Sequence, residues 1–177
     1  MSAEDKVEVT MTSLLSSLSL ATSPSTSPPP SSYFIGRKEE ILQARRVEKF
    51  VNGRDVLVLH HEGVLHAMDK RCYHKGGLLQ GGDIEEFDGR LCIVCPWHKF
   101  KITLAEGEGL YQVLDRAQKP PKHKWLSKGV KQRVHTVIEV DEDVFVRFNS
   151  MPGSIDSDQY QTNEYRATLE TGEKTKK

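Results

Sequence analysis

The sequence predicts an all-β domain, an antiparallel sandwich or barrel, held between two polar segments. Two observations predict the β class. Short apolar runs rich in branched residues alternate with turn dipeptides through the middle of the chain, and helical periodicity is almost absent there. A third sets the limits. Residues 1–32 are rich in Ser, Thr and Pro and end in Pro28-Pro29-Pro30, and the chain turns polar again after residue 149. The composition of residues 1–32 buries too little apolar surface to offset the entropy of ordering, and the lysine-tipped tail reads as solvated. The expected organisation is a disordered extension over 1–32, a folded domain over 33–149 and a polar tail over 150–177.

Taken in order, Lys38–Leu42 has a trace of helical spacing but is too short to assign. Val51-Asn52-Gly53-Arg54 joins a strand near Ala44–Val51 to one near Asp55–His60, because Asn-Gly accepts the positive φ angles of a tight type I′ turn. His61-Glu62-Gly63 turns the chain into Val64–Met68. Asp88-Gly89 makes another hairpin and feeds Leu91–Val94. Asp141-Glu142-Asp143 separates Val134–Val140 from Val144–Phe148 as a closing hairpin. The segment from Gly109 to Gly129, with Pro120-Pro121 inside it, reads as a long loop pinned by Trp125.

Composition excludes several function classes. The 25 acidic and 25 basic residues balance, and aromatics are sparse, so no nucleic-acid footprint is visible. No apolar stretch reaches the roughly 20 residues needed to cross a bilayer. The run Met11–Ala21 is mildly apolar, but Glu4, Asp5 and Glu8 precede it where a secretory leader should be positive. Three cysteines give no disulfide framework, which suits a reducing compartment, and a monomeric cytoplasmic protein is expected. No phosphate-binding or dinucleotide glycine pattern and no nucleophile elbow is present.

The chemistry is concentrated in two segments, Cys72-Tyr73-His74 and Cys95-Pro96-Trp97-His98. Each offers one thiol and one imidazole in a stretch bent by glycine or proline. Strands lead into both, so the two loops should stand together at one tip of the β scaffold. Gly76, Gly77, Gly81 and Gly82 allow the first loop to bend and its N–H groups to approach sulfur.

This C-x-H … C-x-x-H arrangement resembles that of the Rieske iron–sulfur proteins, over roughly residues 33–149. Gly76-Gly77, Pro96 and Ala67-Met68-Asp69 add to the likeness. The resemblance implies a Rieske-like β-sandwich or barrel with one [2Fe–2S] cluster, in which Cys72 and Cys95 bind one iron and His74 and His98 the other. Two neutral imidazoles in place of two thiolates leave the oxidised core uncharged, which raises its potential over that of an all-cysteine centre.

Departures from the family pattern refine the expectation. Respiratory Rieske proteins join the two loops by a disulfide whose cysteines would fall at Gly77 and Trp97, so that bridge is impossible here. Their potential-raising serine and tyrosine hydroxyls would fall at Phe100 and Ile102. Lys99 replaces a common glycine. The resemblance therefore implies a low-potential, ferredoxin-type electron carrier and not an enzyme. A flavin- or NAD(P)H-dependent reductase would supply its electrons and a terminal acceptor enzyme would take them. An oxygenase would need a second iron domain, for which nothing after Phe148 leaves room.

Two alternatives stay open at this level. Cys92-Ile93-Val94-Cys95 with His98 could hold zinc, although Cys92 lies in an apolar run that reads as buried strand. A redox-sensing or interaction protein bearing the cluster would share the same ligands. The basic tract Lys119, Lys122, Lys124, Lys128, Lys131 and Arg133 reads as a solvated loop or a docking face for an acidic partner. His60, His61, His66, His123 and His135 lack metal-ligand spacing and read as ordinary surface or packed residues.

Overall fold

A computed structural model describes residues 27–173. Most of the N-terminal extension, with Met11–Ala21, and the terminal Lys174, Lys176 and Lys177 lie outside the described residues. Eleven strands form two antiparallel sheets. The larger is ordered β1-β11-β10-β4-β3-β2 and the smaller β5-β6-β7-β8-β9. In the first, β1 is Ser32–Arg37, β2 Arg46–Val51, β3 Arg54–His61, β4 Val64–Asp69, β10 Val134–Val140 and β11 Asp143–Arg147. In the second, β5 is Asp83–Phe87, β6 Arg90–Val94, β7 Lys101–Thr103, β8 Glu108–Asp115 and β9 Lys122–Val130.

The turns form as their residues dictate. Asn52 and Gly53 have φ of 45° and 80°, Glu62 and Gly63 47° and 83°, and Asp88 and Gly89 53° and 71°. Positive φ at both central positions matches the right-handed twist of the flanking strands. Each strand pair then reads off in register from its turn, with Val51 opposite Arg54 and Phe87 opposite Arg90.

Strand β3 organises the packing. Val56, Leu57, Val58 and Leu59 are all buried, yet their side chains alternate between faces. Val56 and Val58 join Ile35, Ile41, Ala67, Val144 and Val146 in one core, which the six-stranded sheet wraps. Leu57 and Leu59 join Met68, Leu79, Ile93, Ile102 and Leu104 in a second core between the sheets. The wrapped sheet nearly closes, because Lys49 Nζ on β2 donates to Ile35 O on β1 at 2.7 Å. Helix α1, Lys38–Ala44, plugs that gap with Ile41. Seven residues with one buried side chain carry little periodicity, which is why the sequence could not assign it.

Two expectations are corrected. The segment from Gly109 to Gly129 is the β8–β9 hairpin, with Tyr111 opposite Leu126 and Val113 opposite Lys124. Both faces of β9 are largely exposed, so no inside/outside alternation marked it as a strand. The polar segment after residue 149 also folds back on the domain. A 3₁₀ turn spans Asp156–Gln161 and α2 spans Asn163–Glu173. Its contacts are mostly polar. Gln161 pairs with both backbone groups of Asp55, at 2.8 and 3.1 Å, and Arg166 bonds Asp55 and Gly53 O. Among the described residues no helix is long and apolar enough to cross a membrane.

Candidate metal centre

Both expected ligand segments lie at the end of the second core, whose members include Cys72 and Cys95. Strand β4 delivers the first loop and the β6–β7 hairpin makes the second. The loops share one backbone pattern. Cys72 N donates to Gly77 O at 2.8 Å and Gly76 N to Cys72 O at 2.9 Å. Five and four residues after Cys95 the same bonds recur, Cys95 N to Phe100 O at 2.8 Å and Lys99 N to Cys95 O at 2.9 Å. The fifth residue of each turn is left-handed, Gly76 at φ 72° and Lys99 at φ 57°. Lys99 thus occupies a conformation that glycine adopts more easily.

The four expected donors separate into two pairs. Cys72 and Cys95 are 1% and 2% exposed, and their sulfurs are within hydrogen-bonding reach of each other. The bond to Cys95, then burial, pushes the Cys72 thiol up. The same bond pulls Cys95 down, helped by the Trp97 and His98 backbone N–H groups. Backbone N–H groups of His74 and Lys75 point likewise at Cys72. Backbone donors around both sulfurs thus favour thiolate. The imidazoles of His74 and His98 stand at the rim, their centroids 5.0 Å apart and their planes nearly perpendicular. What burial His74 has, with His98, Lys75 and Lys128 nearby, holds its ring below the ordinary imidazole value, which favours the neutral, ligating form.

Several supporting contacts escaped sequence reading. Phe100 lies face to face on His74, centroids 3.9 Å apart, and meets Tyr73 edge-on at 5.7 Å. Sequence comparison valued Phe100 only as a missing hydroxyl; its ring orients a donor. Trp97 covers Gly77 so closely that a Cβ there would sit 2.9 Å from the indole and 3.2 Å from Cys95 Sγ. The two positions that lack the cross-linking cysteines thus meet through an aromatic ring. Buried Gln132 accepts from Tyr73 N at 2.9 Å and donates to Asp69 O and Arg71 O at 2.9 and 2.8 Å. Nothing in its sequence context, among basic residues, signalled that role.

The C-terminal segment adds a strap behind the first loop. Tyr160 Oη donates to His74 O at 3.0 Å, and both Tyr160 and Tyr165 abut Gly76. Arg71 bonds Gly76 O at 3.0 Å while lying over the Tyr165 ring. The strap is anchored by buried Asp69, which takes Arg54 at 2.7 Å, Ser157 Oγ at 2.7 Å and His135 Nε2 at 3.0 Å. Asp158 accepts from Arg54 at 3.0 Å and from Arg133 at 2.6 Å. Burial opposes the Asp158 charge, but Arg133, the Ile155 N–H and Arg54 outweigh it and bring the carboxyl down to about 2.

Arg133 is therefore not part of a basic docking face. Its guanidinium is buried, and Lys131 and Lys124 pair with Asp156 and Asp115. The tract expected as one cationic surface is divided, because Lys124, Lys131 and Arg133 are each paired with an aspartate.

The donor set fits a binuclear cluster better than zinc. Cys92 is fully buried in β6, its thiol pushed up to about 11 by burial. The thiols pair inside and the imidazoles pair outside.

Residues 33–151 match the family described as soluble Rieske-type ferredoxin. A human Rieske domain-containing protein is 50% identical over 136 residues, which is 77% of this chain and 87% of that relative. A crystal structure named as the small subunit of an NADPH nitrite reductase superposes with a TM-score of 0.50 at 13% identity, covering 65% of this chain and 96% of that one. The ferredoxin of carbazole 1,9a-dioxygenase from Nocardioides aromaticivorans is similar at a TM-score of 0.49 and 16% identity, over 67% of this chain and 99% of that one. Sequence likeness and β architecture lead to one family: the chain belongs to the soluble Rieske-type ferredoxins, a family that implies an iron–sulfur cluster, generally [2Fe–2S].

Proposed function

We propose that the protein is a cytoplasmic one-electron carrier of low potential. In this reading Cys72 and Cys95 hold the inner iron of a [2Fe–2S] cluster and His74 and His98 the outer one. The observation that carries it is the separation of donors at one tip, two buried thiols behind two imidazoles at the rim. When bound, the cluster supplies a reversible one-electron couple.

The chain's own residues account for the rest. The backbone N–H groups around each cysteine stabilise thiolate, and the apolar wall of Leu79, Ile93 and Ile102 keeps water from the sulfurs. Phe100 and the perpendicular pairing of the imidazoles hold the rim donors in place before any metal arrives. Ile102 is fully buried and has no hydroxyl to give to sulfur, which supports a low potential. Exposed His98 offers the short route between the inside and a partner's redox group. Electrons would enter from a flavin- or NAD(P)H-dependent reductase and leave to an acceptor oxidoreductase. Residues 33–149 form the carrier domain in this reading.

Electron paramagnetic resonance of dithionite-reduced protein, with acid-labile sulfide measured in the same sample, tests the assignment. Mixed nitrogen and sulfur ligation is expected, and a Cys92→Ser variant should retain the spectrum. An all-sulfur signal, or loss of the chromophore in that variant, would overturn the ligand set.

A further inference from the structure

Beside His98 lies an open pocket of about 270 Å³ between the second ligand loop and the β8–β9 hairpin. His98, Lys99 and Lys101 form one side, Tyr111, Trp125 and Lys128 the other. No carboxylate lines it, and among the described residues Lys99, Lys101 and Lys128 make no ion pair. The charges are nevertheless held in place. Lys128 Nζ lies 5.0 Å from the Phe100 centroid and 5.7 Å from that of Tyr111. Lys101 Nζ donates to Lys99 O at 2.7 Å and sits 5.7 Å from the Trp125 and Phe87 rings.

What sets the pocket apart is that three such lysines converge on aromatic rings beside His98; among the described residues Lys119 and Lys122, on the same hairpin, also make no ion pair but line no such pocket. On the same hairpin and the segment after it, Lys124, Lys131 and Arg133 are each neutralised by an aspartate. The whole chain balances 25 positive against 25 negative residues. Positive charge backed by aromatic rings and adjoining the exposed imidazole is a local arrangement in a chain whose charges balance overall. Rings and a carbonyl hold these lysines without cancelling them, so less conformational freedom is lost when an anion arrives.

Resting on the carrier reading above, we propose that this pocket seats an acidic segment of the protein redox partner, with one carboxylate between Lys101 and Lys128. A protein segment fits better than a free small anion. The pocket is open to solvent, unlike sites that enclose most of a small ligand's surface. Trp97, whose ring centroid stands 6.4 Å from that of His98, is 58% exposed and offers the flat aromatic area typical of protein interfaces. An acidic segment seated here would bring the partner's surface over His98, and opposite charges would speed the encounter.

The test uses the full-length, cluster-bearing protein and a dye-labelled hexaglutamate peptide followed by fluorescence anisotropy. The double variant Lys101→Gln/Lys128→Gln should weaken binding about tenfold. Lys119→Gln/Lys122→Gln, which removes the same charge from the far end of the hairpin, should change it less than about twofold. Oxidation of the reduced protein by ferricyanide should slow in the first variant only, while oxidation by the cationic tris(phenanthroline)cobalt(III) should not slow in either. Equal weakening by both variants, no binding of the peptide at low salt, or displacement of it by equimolar glutarate would each overturn the proposal. The visible spectrum of the same samples separates the two levels: colourless protein defeats the carrier reading, whereas coloured protein that fails to discriminate defeats only this pocket.

Discussion

The two candidate ligand loops have nearly the same backbone and opposite surroundings. In both, the cysteine N–H reaches five residues ahead and a left-handed residue sits at the fifth position. The first loop is held from behind by Gln132, Arg71, Tyr160 and Tyr165, and its Gly76 is buried. In the second, Pro96, Trp97, His98 and Lys99 are all exposed, and beyond the turn's own bonds the loop is held by Trp97 on Gly77 and by Lys101 Nζ on Lys99 O. One side of the site is a foundation and the other an approach. A carrier needs both, since rigid ligands lower the reorganisation that accompanies a change of charge and an open face admits the partner.

The sharpest way to break this contrast is substitution at the shared fifth position. Gly76→Ala forces a left-handed alanine against Tyr160 and Tyr165 and should cost about 3 kcal/mol, with bleaching of the visible spectrum on mild heating. An unchanged melting temperature would show that the strap yields easily. Next in size, Asp158→Asn removes the carboxylate joining Arg54 to Arg133 and should cost about 2 kcal/mol. The same group sets a pH dependence. Its folded value of about 2 lies below the ordinary 3.8, so its contribution is present above pH 4 and is lost as pH falls towards 2. Amide exchange in α2 should accelerate across that window in the wild type and not in the variant.

Smaller effects sharpen the comparison. Tyr160→Phe deletes one hydrogen bond to His74 O and should cost about 1 kcal/mol. Amide exchange should quicken at His74–Gly77 and stay constant at Cys95–Phe100; an equal response in both loops would mean that they move as one body. Smallest and opposite in sign, Lys99→Gly relieves a left-handed lysine and should raise the denaturant midpoint by the equivalent of about 0.5 kcal/mol. A lowered midpoint would reveal that Lys99 stabilises the loop through contacts of its side chain.

What could be read beforehand followed the physics of each element. Asn52-Gly53 and Asp88-Gly89 require left-handed backbone that few residues tolerate, so their hairpins were legible from two letters. The run Val56–Leu59 announced a strand but not that it would serve two cores. Strand β9 was missed because an edge hairpin exposed on both faces has no apolar alternation to display. The strap was missed for a related reason. Ser157, Asp158, Tyr160 and Gln161 are held through hydrogen bonds to distant partners, and sequence periodicity reports only apolar burial. The proposed donors stood out because thiols and imidazoles at short spacing are rare. Their supports, Phe100, Trp97 and Gln132, are common residue types whose roles come from where the fold puts them.

The family match ends at residue 151, whereas Ser157 and Tyr160 reach back to Asp69 and the His74 carbonyl. A version trimmed to the shared boundary would therefore retain every donor atom yet remove the brace that steadies half of them. Fusions, tags or proteolytic nicks near the carboxyl end deserve the same attention in handling this protein as changes at the redox tip.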